Sequence, residues 1–298
     1  MVSLLIKFEF VIKLFYKEMR ISLKIINTYD SIQSYFLNKD FNMSIWREYA
    51  SQISPELLSK CIEDTDEYDY ENDILPVIKA ALNDKYKMNL VSYNFNLVTK
   101  NLINNLMNLF DNDIEVKIIL YLGMCNGAGW VTTLDDESVI LLGIEKIVEL
   151  NWHDEECLQA LIFHEIGHIW HKIVGKMFFP TNCPREQSIL QLYQEGIAMV
   201  CEQILCNDSG YYHQNKGNWL EWCLTNEVEI KKEYLYRISI DESTQDFFGD
   251  WCNYKGYSDV GYFLGCQFIK YLQTKYKLKE IANLPYEALI TEFKSFAK

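Results

Sequence analysis

The segment Phe163-His164-Glu165-Ile166-Gly167-His168 restricts what this chain can fold into more than any other, because it sets two imidazoles four residues apart inside a run of helical apolar spacing. On an α-helix, residues four apart share a face about one turn apart, so His164 and His168 converge where a single metal ion can sit. Glu165 points off that line, within reach of a water at the same place without ligating the metal. The pattern points to zinc. The competing reading is a buried helix with two satisfied core histidines. The flanks support the helix: Asn151 and Asp154 are cap candidates, and Glu155 and Glu156 put negative charge in the first turn, where the helix dipole favours it. Leu158, Leu161, Ile162, Ile166, Ile169, Trp170 and Ile173 then form a broad apolar surface, and the helix ends near Gly175, with Pro180 and Pro184 in the loop beyond.

A catalytic zinc is usually held by three protein ligands, so a third is needed. The best candidate is Glu195, in the middle of a second helix that begins at Pro184, a residue suited to the first helical position, and runs to Glu202. Gly196 and Ala198 beside it let another backbone come close, and a carboxylate on such a face is expensive unless paired or bound to a metal. The alternative is a solvated Glu on the outer face. His171 shares roughly the face of His164 and reads as a support for a ligand or a lining of the groove. Cys125 is an upstream thiolate candidate. Val174 stands where a metzincin carries its third His, which excludes that pattern.

His164-Glu165-Ile166-Gly167-His168 followed by Gln194-Glu195-Gly196-Ile197-Ala198 resembles the gluzincin metallopeptidases, closest to bacterial families described as predicted zinc-dependent proteases. The resemblance covers about half the chain, from near Ile114 to the helix with Gly261 and Tyr262. It departs from the thermolysin-like group in its longer spacing between His168 and Glu195 and in having no acidic residue four positions after Glu195; the Gly-x-Met-x-Asn exopeptidase signature is also missing. It implies hydrolysis of peptide bonds with one Zn2+ per chain, His164, His168 and Glu195 as ligands and Glu165 as general base. It also implies a Tyr or His hydroxyl or imidazole donor to the oxyanion. Tyr262, in a Gly-Tyr-x-x-Gly helix opening with Ser258 or Asp259 as cap, is the candidate, with Tyr257 and Tyr254 as rivals and a plain core role as the alternative. Two other classes remain open: a binding or regulatory protein that keeps a zincin scaffold without chemistry, and an amidase or deformylase-like hydrolase acting on a small substrate. The intact Glu165 argues against the first, since a purely structural site needs only ligands.

The expected fold class is α+β and zincin-like, with a small mixed sheet preceding the active-site helix, a mainly helical C-terminal half and a helical N-terminal region. The acidic run Glu63 to Asp73 is the clearest boundary signal and divides the chain into 1–70 and 71–298. Helical spacing is expected over Ser44 to Ile62, Ile74 to Lys87 and Asn94 to Phe110. Ile114 to Leu122 and Ser138 to Leu142 read as strands, with a turn and a third strand within Gly127 to Leu134. Asn126-Gly127-Ala128-Gly129-Trp130 would then form a cleft rim, where an extended peptide adds as a strand; an ordinary hairpin with a buried Trp fits the same residues. Length allows one large domain or two. With 28 basic against 42 acidic residues and no Lys/Arg cluster, nucleic acid is not an expected partner; peptide or protein substrate is expected. Nine cysteines without regular short spacing suit a reducing compartment. Leu4 to Phe15 is apolar but interrupted by Lys7, Glu9 and Lys13, which makes it a poor signal peptide and too short to span a bilayer. Its alternation suits a strand, residues 1–18 stand apart if Met19 is an internal start, and a soluble cytoplasmic protein is expected.

Overall fold

The computed structural model describes residues 8–16, 19–36, 40–65, 68–106, 114–175 and 178–298. Their contacts group into two compact units, Met1–Glu165 and Ile166–Lys298.

The first unit is α+β. Its elements are β1 (Phe8–Tyr16), β2 (Met19–Asn27), α1 (Tyr29–Phe36), α2 (Met43–Ile53), α3 (Pro55–Asp64), α4 (Leu75–Asn83), α5 (Lys85–Leu106), β3 (Ile114–Tyr121), β4 (Gly129–Leu134), β5 (Glu137–Gly143) and α6 (Ile144–Glu149). The five strands form one mixed sheet in the order β1-β2-β3-β5-β4, with β2-β3 and β3-β5 parallel and the two outer pairs antiparallel. Burial follows from this order. The central strands β3 and β5 are covered along nearly their whole length, which is why both read as continuous apolar runs, whereas β4 at the edge is only half-buried. The β4–β5 hairpin turns through Asp135 and Asp136, both with positive φ (52° and 63°), as a tight two-residue connection requires.

Several expectations are corrected here. The N-terminal region is not purely helical: β1 and β2 precede its helices, and β2 pairs with β3, so contacts do not divide at residue 70. The strand reading of the apolar amino-terminal run holds for Phe8–Tyr16; residues 1–7, 17 and 18 lie outside the described residues, as do positions 66 and 67 of the acidic run. The helix expected over Ser44 to Ile62 is two helices, because Ser54 is extended ahead of Pro55 and its hydroxyl accepts the Glu56 N–H. Asp84 leaves the helical conformation at ψ of 69°, its carboxylate accepting the Lys87 N–H at 3.0 Å, and so divides the next helix into α4 and a longer α5; the last residues of the expected Asn94 to Phe110 helix, 107–110, lie outside the described residues.

A single helix, α7 (Glu155–Val174), carries the chain from the first unit into the second, and the division falls within it. The second unit is otherwise helical: α8 (Pro184–Cys206), α9 (Trp219–Thr225), α10 (Glu227–Ser239), α11 (Val260–Gln273), α12 (Leu278–Ile281) and α13 (Tyr286–Phe296). Its centre is α8. Gly196 of α8 meets Gly265 of α11 so closely that a Cβ on Gly196 would lie 2.4 Å from the Gly265 carbonyl oxygen. Tyr234 of α10 donates to the Ser188 carbonyl of α8 at 2.8 Å, and Tyr193 of α8 donates to the Ile281 carbonyl at 2.8 Å. Among the described residues no helix is long and apolar enough to cross a membrane.

Candidate metal centre

Two helices build the site, and each is set by local signals in the sequence. Asp154 caps α7, its carboxylate accepting the Cys157 N–H at 2.9 Å. Helix α8 opens with Pro184 at its first turn, and the Arg185 N–H finds the Asp241 carboxylate at 2.9 Å; it closes on Asn207 in the left-handed conformation. The close approach of α8 to α7 runs through Gly167, where a Cβ would lie 2.8 Å from the Ala198 Cα. Only glycine fits there. Gly167 is one residue from His168 and Ala198 three from Glu195, so the approach that demands small residues also delivers the carboxylate.

The result is a convergent group: the ligand atoms of His164, His168 and Glu195 all lie within 4.8 Å of one another. Nε2 of His168 and Oε2 of Glu195 are 3.4 Å apart, longer than an ordinary charge-assisted hydrogen bond. It is, however, about the edge of a tetrahedron whose corners lie roughly 2.1 Å from a central ion. Two nitrogen donors and one carboxylate oxygen therefore fit a small divalent cation. His164 is buried, while the side chains of His168 and Glu195 keep 11% and 17% of their surface, so one side of the group is open to approach.

Glu165 lies outside this group. Its carboxylate rests on the first residue of β4: a Cβ on Gly129 would come 2.6 Å from Oε1. The general-base candidate and the sheet edge are thereby neighbours. His171, expected to support a ligand or line the groove, is fully buried with its ring edge-on to Tyr193 at 4.7 Å between centroids. Burial, then the nearby His168, pushes its pKa down to about 3, so it is a neutral packing residue and not groove-lining. Cys125 joins no convergent group among the described residues; its thiol lies 3.7 Å from the Ile74 carbonyl.

Tyr262 stands in the first turn of α11, half-buried, with its ring edge-on to Phe248. Asp259 occupies the cap position there with φ of 60°, but its carboxylate accepts the Gly249 N–H and not a helix amide. The rivals are committed to packing, Tyr254 stacked on Phe247 and Tyr257 on Trp222.

Sequence reasoning missed one feature. The ligand atoms of His164, Glu202 and His213 form a second group within 4.8 Å. Here Oε2 of Glu202 and Nδ1 of His213 are 2.8 Å apart, a hydrogen bond and too short for the edge of a coordination tetrahedron, and Glu202 Oε1 also accepts the His213 N–H at 3.3 Å. Glu202 is fully buried, so a hydrogen-bonding carboxylate and not a second ion explains the group. It sits seven residues, two helical turns, after Glu195. The available signal was a lone charge in the apolar run Ile197 to Cys206.

Comparison of the chain with protein-family models, with curated proteins and with solved structures finds no match.

Proposed function

We propose that the protein is a zinc-dependent peptidase of gluzincin type with a zincin-like arrangement of sheet and helices. The observation that carries the proposal is the convergence of His164, His168 and Glu195, with Glu165 outside that group and against an edge strand. A zinc ion, which His164, His168 and Glu195 would hold, would supply Lewis acidity and make the attacking water a stronger acid near neutral pH. Glu165 takes a proton from the attacking water and passes it to the amine nitrogen as the C–N bond breaks, which needs a carboxylate that is not itself a ligand. The edge strand β4, antiparallel to β5, offers its unpaired backbone groups to an extended peptide. Tyr262 is proposed as the hydrogen-bond donor to the developing oxyanion. His164, His168 and Glu195 hold one ion per chain, and Glu202, with an oxygen within 4.8 Å of a ring nitrogen of His164, is proposed to support that imidazole.

The test is metal analysis of protein purified without chelator, together with cleavage of a mixed peptide library. One zinc per chain is expected, lost in His164→Ala and His168→Ala. Glu165→Gln should keep the zinc and the fold yet lower hydrolysis by about 100- to 10,000-fold. Zinc-loaded wild type that cleaves no peptide would instead mark a binding protein, and near-normal hydrolysis by Glu165→Gln would defeat the mechanism.

A further inference from the structure

The roles above leave unused the fully buried carboxyl group of Glu145, the second residue of α6. Its Oε2 accepts the Gly123 N–H at 2.8 Å and its Oε1 the Cys125 N–H at 3.1 Å. Both amides belong to the segment that joins β3 to the edge strand β4. That segment is wrapped around the carboxyl group. Cβ atoms on Gly123 and Gly143 would lie 2.6 and 3.1 Å from Oε1, so neither position has room for a side chain. Cys125 is held at φ of 62°, a left-handed conformation that a non-glycine residue adopts only where its surroundings impose it. The two N–H groups turned inward on either side of Met124 make a concavity lined by donors, here filled by the protein's own carboxyl group.

Around it stand Tyr49 of α2, Cys61 of α3, Tyr121 of β3 and Lys146 of α6. Asn126 ties the same segment outward, accepting the Met124 N–H at 3.1 Å and donating to the Cys61 carbonyl at 2.9 Å and the Asp64 carboxylate at 3.0 Å. The segment then runs to Ala128, whose carbonyl accepts the Gly143 N–H at 3.0 Å, and to Gly129 beneath Glu165.

We propose that Glu145 is the positioning residue of the substrate edge: by holding the amides of Gly123 and Cys125 it sets where β4 begins, and so fixes the backbone on which an extended peptide substrate rests. This rests on the reading of the site as a peptidase. Glu145 touches no reacting atom. It acts through the segment it gathers, and its effect should fall on substrates long enough to pair with β4.

The test compares the zinc-loaded full chain with Glu145→Gln at about pH 8, where the wild-type carboxyl group is ionised and accepts both N–H groups; the near-isosteric change turns an amide N–H2 toward one of the two backbone donors. Hydrogen exchange of residues 122–131 is expected to quicken by about tenfold or more, with exchange in α8 unchanged and zinc content retained. KM for peptides of eight or more residues should rise by about tenfold with little change in kcat, while cleavage of tripeptides stays as in wild type. Glu145→Asp, which keeps the carboxyl group, should recover part of both effects. If Glu145→Gln does not fold, Asn126→Ala loosens the same segment from its other side and should show the same pattern. Unchanged exchange over 122–131, or long and short peptides affected alike, overturns the proposal. Wild type that holds zinc but cleaves nothing defeats the peptidase reading and the substrate half of the proposal, while exchange still decides whether Glu145 holds the segment.

Discussion

Gly196→Ala sets two physical effects against each other, and the structure decides the sign. Alanine is the better helix former, so in the middle of an exposed helix this change adds about 1 kcal/mol of stability. Gly196 is not exposed. A Cβ there would lie 2.4 Å from the Gly265 carbonyl oxygen, 2.6 Å from its carbon and 2.8 Å from Ile269 Cγ1. Two of these three atoms are backbone, so no rotamer change relieves them. Ordinary contact begins at 3.4 Å, and α8 and α11 must therefore part by about 1 Å. Overpacking of this kind destabilises by roughly 1–3 kcal/mol, and because two of the three clashing atoms are backbone the cost lies toward the upper end, so that after the helix-propensity gain a net loss of up to about 2 kcal/mol is expected. Glu195 is the neighbouring residue. A shift of that size stretches its 3.4 Å separation from His168 beyond what one ion can bridge, so zinc affinity should fall by at least about tenfold. The assay is urea denaturation of the metal-free protein followed by circular dichroism, with zinc affinity measured by competition against a chromophoric chelator. Gly210→Ala is the control, because its nearest neighbour is a side-chain oxygen at 3.4 Å. A Gly196→Ala protein as stable as wild type, or more so, would refute the packing argument. Lost stability with unchanged zinc affinity would refute the link between α8–α11 packing and the ligand.

Glu202→Ala should weaken zinc binding by about 10- to 100-fold without removing a ligand, as loss of a carboxylate that orients a metal-bound imidazole does, and His213→Ala should do so less; equal affinity in wild type and Glu202→Ala excludes that role. Burial pushes the Glu145 carboxyl up from 4.5 to about 7 against the opposing pull of the Gly123 and Cys125 amides, so the folded protein keeps a proton that the unfolded chain has lost. The stability this confers is complete below about pH 4.5 and is lost as the pH rises through about 7, by roughly 3 kcal/mol at most. Urea unfolding at about pH 5 and about pH 8 should show that decline in wild type and a much smaller one in Glu145→Gln. Tyr262→Phe should lower kcat while leaving zinc content and stability near wild type; unchanged kcat removes Tyr262 from the oxyanion role.

Local geometry explains which parts of the site were legible. The pairing of His164 with His168 needs only one helix, and the cap at Asp154, the acidic first turn and the stop at Gly175 announce that helix in the sequence. The strands β3, β4 and β5 were legible for a similar reason, since period and turn residues are local properties. Misreadings came where one residue outweighed a long pattern: Pro55 and Asp84 divide runs whose apolar spacing is otherwise continuous.

Glu195 was legible as a candidate through its small neighbours, but its 3.4 Å approach to His168 belongs to the packing of α8 on α7 through Gly167 and Ala198. Glu202 and His213 are separated by a helix end and a loop, and nothing periodic connects them to His164; three side chains far apart in sequence met only once the helices had packed. The same holds for Glu145, whose partner amides come to it only where the segment after β3 folds around its carboxyl group. Helix and strand spacing repeat over a few residues and are written in any short window of sequence. The partner of a buried charge is chosen by desolvation, which exists only after the tertiary structure has closed over it.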